Sequence, residues 1–170
     1  MAKDMKTVTL EKVTLNVCVG NDKPGMVKAK KLLSMLTGKT PVMNLAKKRL
    51  AMWQLRPGLP IGYKVTLRGE DAKKFLAWCL DSKGNTLKAK SLDHTGNFSM
   101  GFTEYLELHR SKYDADIGIM GFELMVTFQR PGIRVKTRRL HSARIPLRHK
   151  VTGAEVTEIL KNEYNTEVTE

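Results

Sequence analysis

The sequence has few cysteines, few aromatic residues and no long hydrophobic run. Its two cysteines, Cys18 and Cys79, form no CxxC pair, so neither a disulfide framework nor a thiolate zinc site is supported. We expect two buried, reduced thiols. No apolar run approaches the roughly 20 residues of a membrane-spanning helix, and the N-terminal MAKDMKTVTL lacks the apolar segment of a signal peptide. These absences favour a cytoplasmic globular protein.

Acidic residues are missing from two stretches of this basic chain. The net charge is +13, yet residues 44–69 (the first basic segment) and 130–150 (the second basic segment) contain no Asp or Glu. Such segregation of charge predicts a surface that binds a polyanion. For a single run of charged residues, a solvated face is the alternative interpretation. No amphipathic basic helix or lipidation motif indicates a membrane. The cations are Lys47, Lys48, Arg49, Arg56, Lys64 and Arg68 in the first segment, and Arg130, Arg134, Lys136, Arg138, Arg139, Arg144, Arg148 and Lys150 in the second.

The length of 170 residues fits a single domain, residues 1–170. Hydrophobic periodicity predicts both helices and strands, as in an α+β fold. A 3.6-residue period indicates helices at about residues 24–38 and 70–80, and a T-x-x-E capping box opens a C-terminal helix at 152–164. Alternating apolar and polar residues indicate strands at about residues 7–19, 61–68, 98–102, 105–108 and 117–130.

The polar positions of two predicted strands are unusual. Asn16 lies in mid-strand on the side away from the valines, where asparagine has a poor propensity. In the other strand the polar positions are Lys64, Thr66 and Arg68. If both strands belong to one sheet, these four side chains form a polar, cationic face open to RNA. The alternative for Asn16 is an incidental residue facing solvent.

The two basic segments have different compositions. In the first, a cluster of cations is followed by Trp53 and by a loop that contains proline and glycine. This combination is suited to binding a folded RNA. A core position is the alternative for Trp53. The second segment has too few apolar residues for a core element, so we predict an extended segment that is ordered by its partner.

No catalytic, cofactor or metal site is predicted. Residues 37–40 read TGKT but lack the spacing of a phosphate-binding loop, and His94 beside Asp93 has no nucleophile partner. The rival of another class is an RNA-cleaving enzyme that uses His141 or His149. No second acid or base stands at a convincing spacing, and no carboxylate cluster could hold Mg²⁺. We therefore predict that the protein is not an enzyme.

Five motifs, in this order and spacing, closely resemble the universal ribosomal protein L5 family, whose members bind 5S rRNA in the large subunit. The motifs are VTLNVCVG, TGKTPV, AKKRLAMWQLRPGLPIGYKVTLRGE, GNFSMG and YDADIGIMGFELMVTFQRPG, and they span about residues 7–132. Beyond them, RRLHSARIPLRHKVTGAEV is similar to the C-terminal part of the archaeal and eukaryotic branch. An archaeal member is the expectation.

The resemblance implies a fold, a function and partners. The fold is a mainly antiparallel sheet with helices packed on one face, its open face and loops directed toward RNA. The function is to attach 5S rRNA to the central protuberance and to contact 23S rRNA. The implied protein partners are the small-subunit protein S13, to which the family forms a bridge, and neighbouring large-subunit proteins. A loop of the family also approaches P-site tRNA.

The resemblance also assigns residues. Lys39 stands where the family commonly has Gln. Compared with glutamine, lysine keeps a hydrogen-bond donor for a phosphate but lacks the acceptor that could bind a base edge. Trp53 stands where the family commonly has Phe and keeps a stacking surface. A general RNA-binding module outside the ribosome is the alternative function. The residues that match the family's 5S rRNA contacts are Asn16, Lys39, Trp53, Arg56 and Thr66, and the tRNA-approaching loop, about residues 51–60, contains Trp53, Gln54, Arg56 and Gly58.

Overall fold

The computed structural model of the protein describes residues 4–109 and 111–169. It confirms an α+β fold built on a mainly antiparallel five-stranded sheet with strand order β2-β3-β1-β6-β5. A separate pair, β4 and β7, is parallel. The elements are β1 (Thr9–Cys18), α1 (Lys23–Thr37), β2 (Val42–Leu45), β3 (Pro60–Leu67), α2 (Glu70–Ser82), β4 (Thr86–Lys88), β5 (Phe98–Phe102), β6 (Phe122–Gln129), α3 (Arg134–Thr137), α4 (Gly153–Tyr164) and β7 (Glu167–Thr169).

Contacts within the chain cluster in two compact units. The first unit contains the described residues up to 13, together with 68–99 and 126–169, and the second contains residues 14–67 and the described part of 100–125. In the second unit, α1 packs against β3. In the first unit, α4 contacts β7. The organisation of the chain as a single domain stays a prediction.

Strands β1, β3 and β6 bury alternate side chains, whereas the residues of β2 are exposed or half-buried. In β3, Val65 and Leu67 are buried while Lys64 and Thr66 are exposed. β1 and β6 alternate in the same way, with Leu15 among the fully buried side chains. This is the pattern that the period of two predicted, because successive side chains of a strand point to opposite faces.

The helices begin and end where local chemistry predicts. The Asp22 carboxylate accepts a hydrogen bond from the Gly25 N–H at the start of α1, and Gly38 ends the helix at φ 65°. α4 opens with the predicted capping box of Thr152 and Glu155. The buried side of α2 is also as predicted: Ala72, Phe75, Leu76, Cys79 and Leu80.

The expected edge strand at residues 105–108 is wrong. Tyr105–Glu107 form a 3₁₀ turn. Tyr105 and Leu108 are both buried. In a strand, an odd-numbered and an even-numbered residue would point to opposite faces of the sheet. The Tyr105 hydroxyl accepts a hydrogen bond from the Asp114 N–H at 2.9 Å, and Glu104 and Glu107 form a capping box at the turn. Packing of the turn around one tyrosine has therefore overridden the strand pattern.

The expectation of two buried thiols is also half wrong. Cys79 is buried, and desolvation raises the pKa of its thiol above the ordinary value. Cys18 is exposed, with its Sγ 3.5 Å from the Ile61 carbonyl oxygen. The cause is parity, since Cys18 lies on the same side of β1 as Asn16 and opposite the buried Val17.

A close backbone approach in the sheet yields a stability prediction. A Cβ atom on Gly62 would lie 2.3 Å from the Val17 carbonyl oxygen, a contact that only a backbone shift could relieve. We expect Gly62→Ala to lower the free energy of unfolding by about 1–3 kcal/mol, measured by chemical denaturation. Gly101→Ala is the matched control, because a Cβ there would meet no atom within 4 Å. Equal stabilities of the two variants would contradict this assignment.

Candidate nucleic-acid interface

The connection between β2 and β3 is an ordered hairpin loop. At its base, the Ala46 N–H donates to the Leu59 carbonyl oxygen at 2.8 Å, and the Gly58 N–H donates to the Ala46 carbonyl oxygen at 2.9 Å. Gly58 adopts a φ of 84°, in the left-handed region that favours glycine. We call residues 46–59 the basic hairpin. It belongs entirely to the second unit.

A second set of backbone bonds closes the tip of the basic hairpin. Leu50 and Leu55 exchange N–H···O bonds of 3.1 and 3.0 Å. Between them, Ala51–Trp53 form one 3₁₀ turn that ends at Gln54, which has a φ of 53°. The tip side chains therefore project from a backbone that is held on both sides, so the conformation of this backbone is defined before a partner binds.

Large apolar side chains are exposed at this tip. Met52 is 93% exposed and Trp53 is 67% exposed. Trp53 is therefore not a core residue, and its ring is available for stacking. Trp78 differs, because it is half-buried and lies edge-on to Phe75 with ring centroids 5.5 Å apart.

The cations of the basic hairpin are exposed, and none of them is neutralised by a described neighbour. In the part of the chain that the structure describes, no carboxylate oxygen lies within 4 Å of their side-chain nitrogens. Arg49, Gln54 and Arg56 line one shallow cavity of about 520 Å³. Their positive charge is thus directed to solvent or to a partner. The hairpin cations are Lys47, Lys48, Arg49 and Arg56.

The open face of the sheet in the second unit carries a chain of hydrogen bonds. Asn44 Nδ2 donates to Asn16 Oδ1 at 2.8 Å, and Asn16 Nδ2 donates to Glu123 Oε2 at 3.3 Å. Val42 lies opposite Lys64 in the register of β2 and β3, which places Asn44 on the same face as Lys64 and Thr66. The structure therefore brings Asn16, Lys64 and Thr66 to one face, three of the four residues that were predicted to share it. Arg68, the fourth, follows the end of β3 and belongs to the first unit.

Sequence reasoning missed two members of this face, Asn44 and Glu123. Glu123 occupies a polar position between Phe122 and Leu124, and this signal was available in the sequence. Asn44 is the one polar residue of β2, which reads VMNL, so alternation gives no signal for it. Their contact with Asn16 depends on which strands are neighbours. Strand order cannot be read from the alternation of a single strand.

Two predicted RNA-binding residues have particular surroundings. Lys39 is exposed directly after the end of α1, where its backbone N–H donates to Thr37 Oγ1 at 3.3 Å. Arg68, in the first unit, has its Nη1 3.1 Å from Glu11 Oε1. Because Lys12 Nζ lies 3.9 Å from the same oxygen, Glu11 has two cationic neighbours. A phosphate would therefore compete with Glu11 for the Arg68 guanidinium.

The second basic segment has little regular structure. It contains only the short helix α3 and a 3₁₀ turn at Leu147–His149. Arg138 Nε donates to the His141 carbonyl oxygen at 2.7 Å, and His149 Nε2 lies 2.8 Å from the Pro131 carbonyl oxygen. The exposed cations of this segment are Arg134, Lys136, Arg138, Arg139, Arg144, Arg148 and Lys150.

Arg130 differs from these seven residues. Its side chain is 13% exposed, with Nη2 2.5 Å from Glu155 Oε1 and Nη1 donating to the Arg148 carbonyl oxygen at 3.3 Å. Glu155 is the third residue of α4 and forms its capping box with Thr152. Arg130 therefore connects the second basic segment to α4, and its guanidinium is not exposed to a partner. This finding corrects the prediction that Arg130 belongs to the second RNA-binding surface.

Neither the pattern of a metal-binding cluster nor that of a membrane-spanning helix is found among the described residues. Among residues 4–109 and 111–169, no group of three or more His, Cys, Asp and Glu side chains is placed to hold a metal ion. None of the helices in the same residues is long and apolar enough to cross a bilayer.

Comparisons with known proteins cover nearly the whole chain. One family model, ribosomal protein L5, matches residues 4–56, and a second, for the C-terminus of the same ribosomal protein family, matches residues 60–161. The large ribosomal subunit protein uL5 of Sulfurisphaera tokodaii is 42% identical over 167 residues, covering 98% of this chain and 94% of that protein. The uL5 proteins of Methanococcus maripaludis strain C6 and Nanoarchaeum equitans are each 40% identical, covering 96% and 99% of this chain and 92% and 99% of their own lengths.

The role of Arg130 can be tested by stability. Arg130→Ala leaves Glu155 without its cation and removes the bond to the Arg148 carbonyl, so we expect a loss of about 1–3 kcal/mol in the free energy of unfolding. Arg134→Ala removes an exposed cation of the same segment and should change stability by less than about 0.5 kcal/mol. Denaturant unfolding of both variants measures the difference. A destabilised Arg134→Ala beside an unaffected Arg130→Ala would refute the assignment.

Proposed function

The chain belongs to the ribosomal protein L5 family, and we propose that it binds 5S rRNA and attaches it to the central protuberance of the large ribosomal subunit. As a family member it is a structural constituent of the large subunit and not an enzyme, and it is a component of the cytoplasmic ribosome. One observation carries the finer proposal. The basic hairpin holds four exposed cations and an exposed tryptophan on a fixed backbone, without a carboxylate neighbour among the described residues.

The basic hairpin supplies both affinity and position in this proposal. Lys47, Lys48 and Arg49 neutralise phosphates and release counterions, which supplies affinity that does not depend on sequence. Trp53 stacks on an unpaired base, and Arg56 contacts the backbone beside it. Because backbone bonds already fix the tip, little conformational entropy is lost when the RNA binds.

The open face of the sheet provides the second set of contacts to 5S rRNA. Asn16 offers an amide whose orientation is fixed by Asn44 and Glu123, and amides recognise base edges. Thr66 adds a hydroxyl and Lys64 a charge on the same face. Lys39 adds a phosphate contact, and Arg68 contributes one if it is released from Glu11.

The second basic segment is the proposed contact with 23S rRNA. Its seven exposed cations lie in a segment with little regular structure, which suits a polyanion that the segment can follow. Arg130 anchors this segment to the rest of the first unit through Glu155.

The proposal of the remaining partners rests on the family relationship. The loop at residues 51–60, with Gln54 and Gly58, is the part that approaches P-site tRNA, and its exposed apolar tip is consistent with a contact surface. The bridge to the small-subunit protein S13 and the contacts with neighbouring large-subunit proteins complete the proposal. An RNA-binding module outside the ribosome is the competing hypothesis, and it implies equal affinity for 5S rRNA and other structured RNAs.

Salt dependence tests the proposed electrostatic binding. The four phosphate contacts of the basic hairpin alone predict a log–log slope of about −3, and the contacts of Lys39 and Lys64 make the slope steeper. Raising the salt from about 50 to 200 mM should therefore weaken 5S rRNA binding by a factor of about 50 or more. Lys48→Gln should make the slope less steep by about 0.7, whereas Lys161→Gln on α4 is the control that should leave it unchanged. Filter binding at several salt concentrations measures the slope. Salt-independent binding, or equal affinity for an unrelated structured RNA of the same length, would overturn the proposal.

Trp53 provides a test that separates stacking from folding. Trp53→Ala should weaken 5S rRNA binding by about 1–3 kcal/mol, while the free energy of unfolding changes by less than about 0.5 kcal/mol because the ring is mostly exposed. Met52→Ala removes a neighbouring exposed side chain without an aromatic face and should change the affinity little. Calorimetric binding and thermal unfolding of both variants measure the two effects. A Trp53→Ala variant that loses stability but keeps its RNA affinity would disprove the stacking role.

A further inference from the structure

Glu123 is an acidic residue on a face that is otherwise suited to a polyanion. It occupies an exposed position of β6, and Asn16 Nδ2 donates to its Oε2 at 3.3 Å. Within the described residues, no Lys or Arg nitrogen lies within 4 Å of this carboxylate. Glu11, in the first unit, contrasts with it, because Glu11 has both Arg68 and Lys12 within 4 Å.

The negative charge of Glu123, which has no Lys or Arg nitrogen within 4 Å among the described residues, has a physical consequence for RNA binding. A carboxylate without a cation repels any phosphate that approaches it, so Glu123 disfavours contact between this part of the face and an RNA backbone. The same group is a strong acceptor for the N–H groups of a base edge. Its position therefore selects the edge of an unpaired base over a phosphate.

The surface beside Glu123 has room for a base. A shallow cavity of about 460 Å³ is lined by Asn16, Cys18, Gly101, Gly121 and Glu123, among others. Gly101 contributes no side chain to it, and even an added Cβ would meet no atom within 4 Å. All of these residues belong to the second unit. An unstacked base can lie on this floor with its edge toward the carboxylate.

The chemistry of the carboxylate indicates which base it would accept. Guanine presents two adjacent donors, N1–H and N2–H, that match the two oxygens of a carboxylate. Adenine and cytosine offer one exocyclic amine on this edge, next to a ring nitrogen acceptor, and uracil has one N–H between two carbonyl oxygens. The acceptors of these three bases would face the negative charge. Guanine alone places two donors against it.

We propose that Glu123, positioned through Asn16 and Asn44, reads the Watson–Crick edge of an unpaired guanine in the RNA that the open face binds. The inference rests on the proposed function, since it names the base that this face selects in 5S rRNA. Asn44 holds the Asn16 amide, and that amide holds one carboxylate oxygen. The second oxygen and the remaining lone pairs of the first are left for the base.

Glu123→Gln is the decisive substitution. Glutamine keeps the length of the side chain and an oxygen for the Asn16 bond, but it replaces the second acceptor with a donor. We expect the affinity for 5S rRNA to fall about tenfold, and the affinity for a fully paired duplex RNA, whose guanine edges are occupied, to stay the same or rise slightly. Glu158→Gln, on an exposed position of α4, is the matched control for net charge and should not weaken binding to either RNA.

The outcomes separate the inference from the proposed function. If the unmodified protein prefers 5S rRNA to the duplex but Glu123→Gln binds 5S rRNA as tightly as Glu158→Gln does, the guanine assignment is wrong and the proposed function stands. If the unmodified protein shows no preference for 5S rRNA, both fail. A thermal unfolding midpoint of Glu123→Gln equal to that of Glu158→Gln shows that a lost affinity does not reflect a lost fold.

A chemical footprint gives a second measurement. Kethoxal reacts with N1 and N2 of unpaired guanines, so a guanine held by Glu123 is protected when the protein is bound. At saturating protein, the unmodified protein and Glu158→Gln should protect a guanine of 5S rRNA that remains reactive with Glu123→Gln. Identical protection by all three proteins would overturn the inference even if the affinities differ.

Discussion

The one-sided burial of the sheet is the constraint on which the rest of this structure depends. Alternate side chains of β1, β3 and β6 are buried in the core, and the described residues between them are exposed or half-buried. Polar residues can therefore occupy these positions without loss of stability. The close packing of the backbone, with Gly62 against the Val17 carbonyl, fixes where the residues of the open face lie.

The basic hairpin extends this sheet and concentrates positive charge where no described carboxylate offsets it. Four cations held near one another repel, and such repulsion destabilises a loop unless other forces fix it. The backbone bonds between Ala46 and Leu59 and between Leu50 and Leu55 supply that restraint. A polyanion removes the repulsion, so RNA binding and order in the hairpin favour the same conformation.

The two basic segments use different means to present their charge. The basic hairpin is held by hydrogen bonds of its own backbone, whereas the second segment is anchored through the buried guanidinium of Arg130 and its pair with Glu155. An anchored segment with little regular structure can follow an irregular RNA surface, while a preformed tip favours a defined contact. In this comparison the preformed hairpin tip favours positioning of a partner, and the second segment favours general electrostatic affinity.

The sequence by itself determined the three longest helices and most of the longer strands, because alternation and helical periodicity are local properties of the chain. It predicted α1, α2, α4 and the parity of β1, β3 and β6, and its motifs identified the family. The tertiary structure decided which residues meet. The Asn44–Asn16–Glu123 chain requires neighbouring strands in a particular register, the pair of Arg130 and Glu155 joins residues 25 apart, and the exposure of Trp53 depends on how the hairpin closes. Contacts between distant residues depend on strand order and packing, which no local pattern contains.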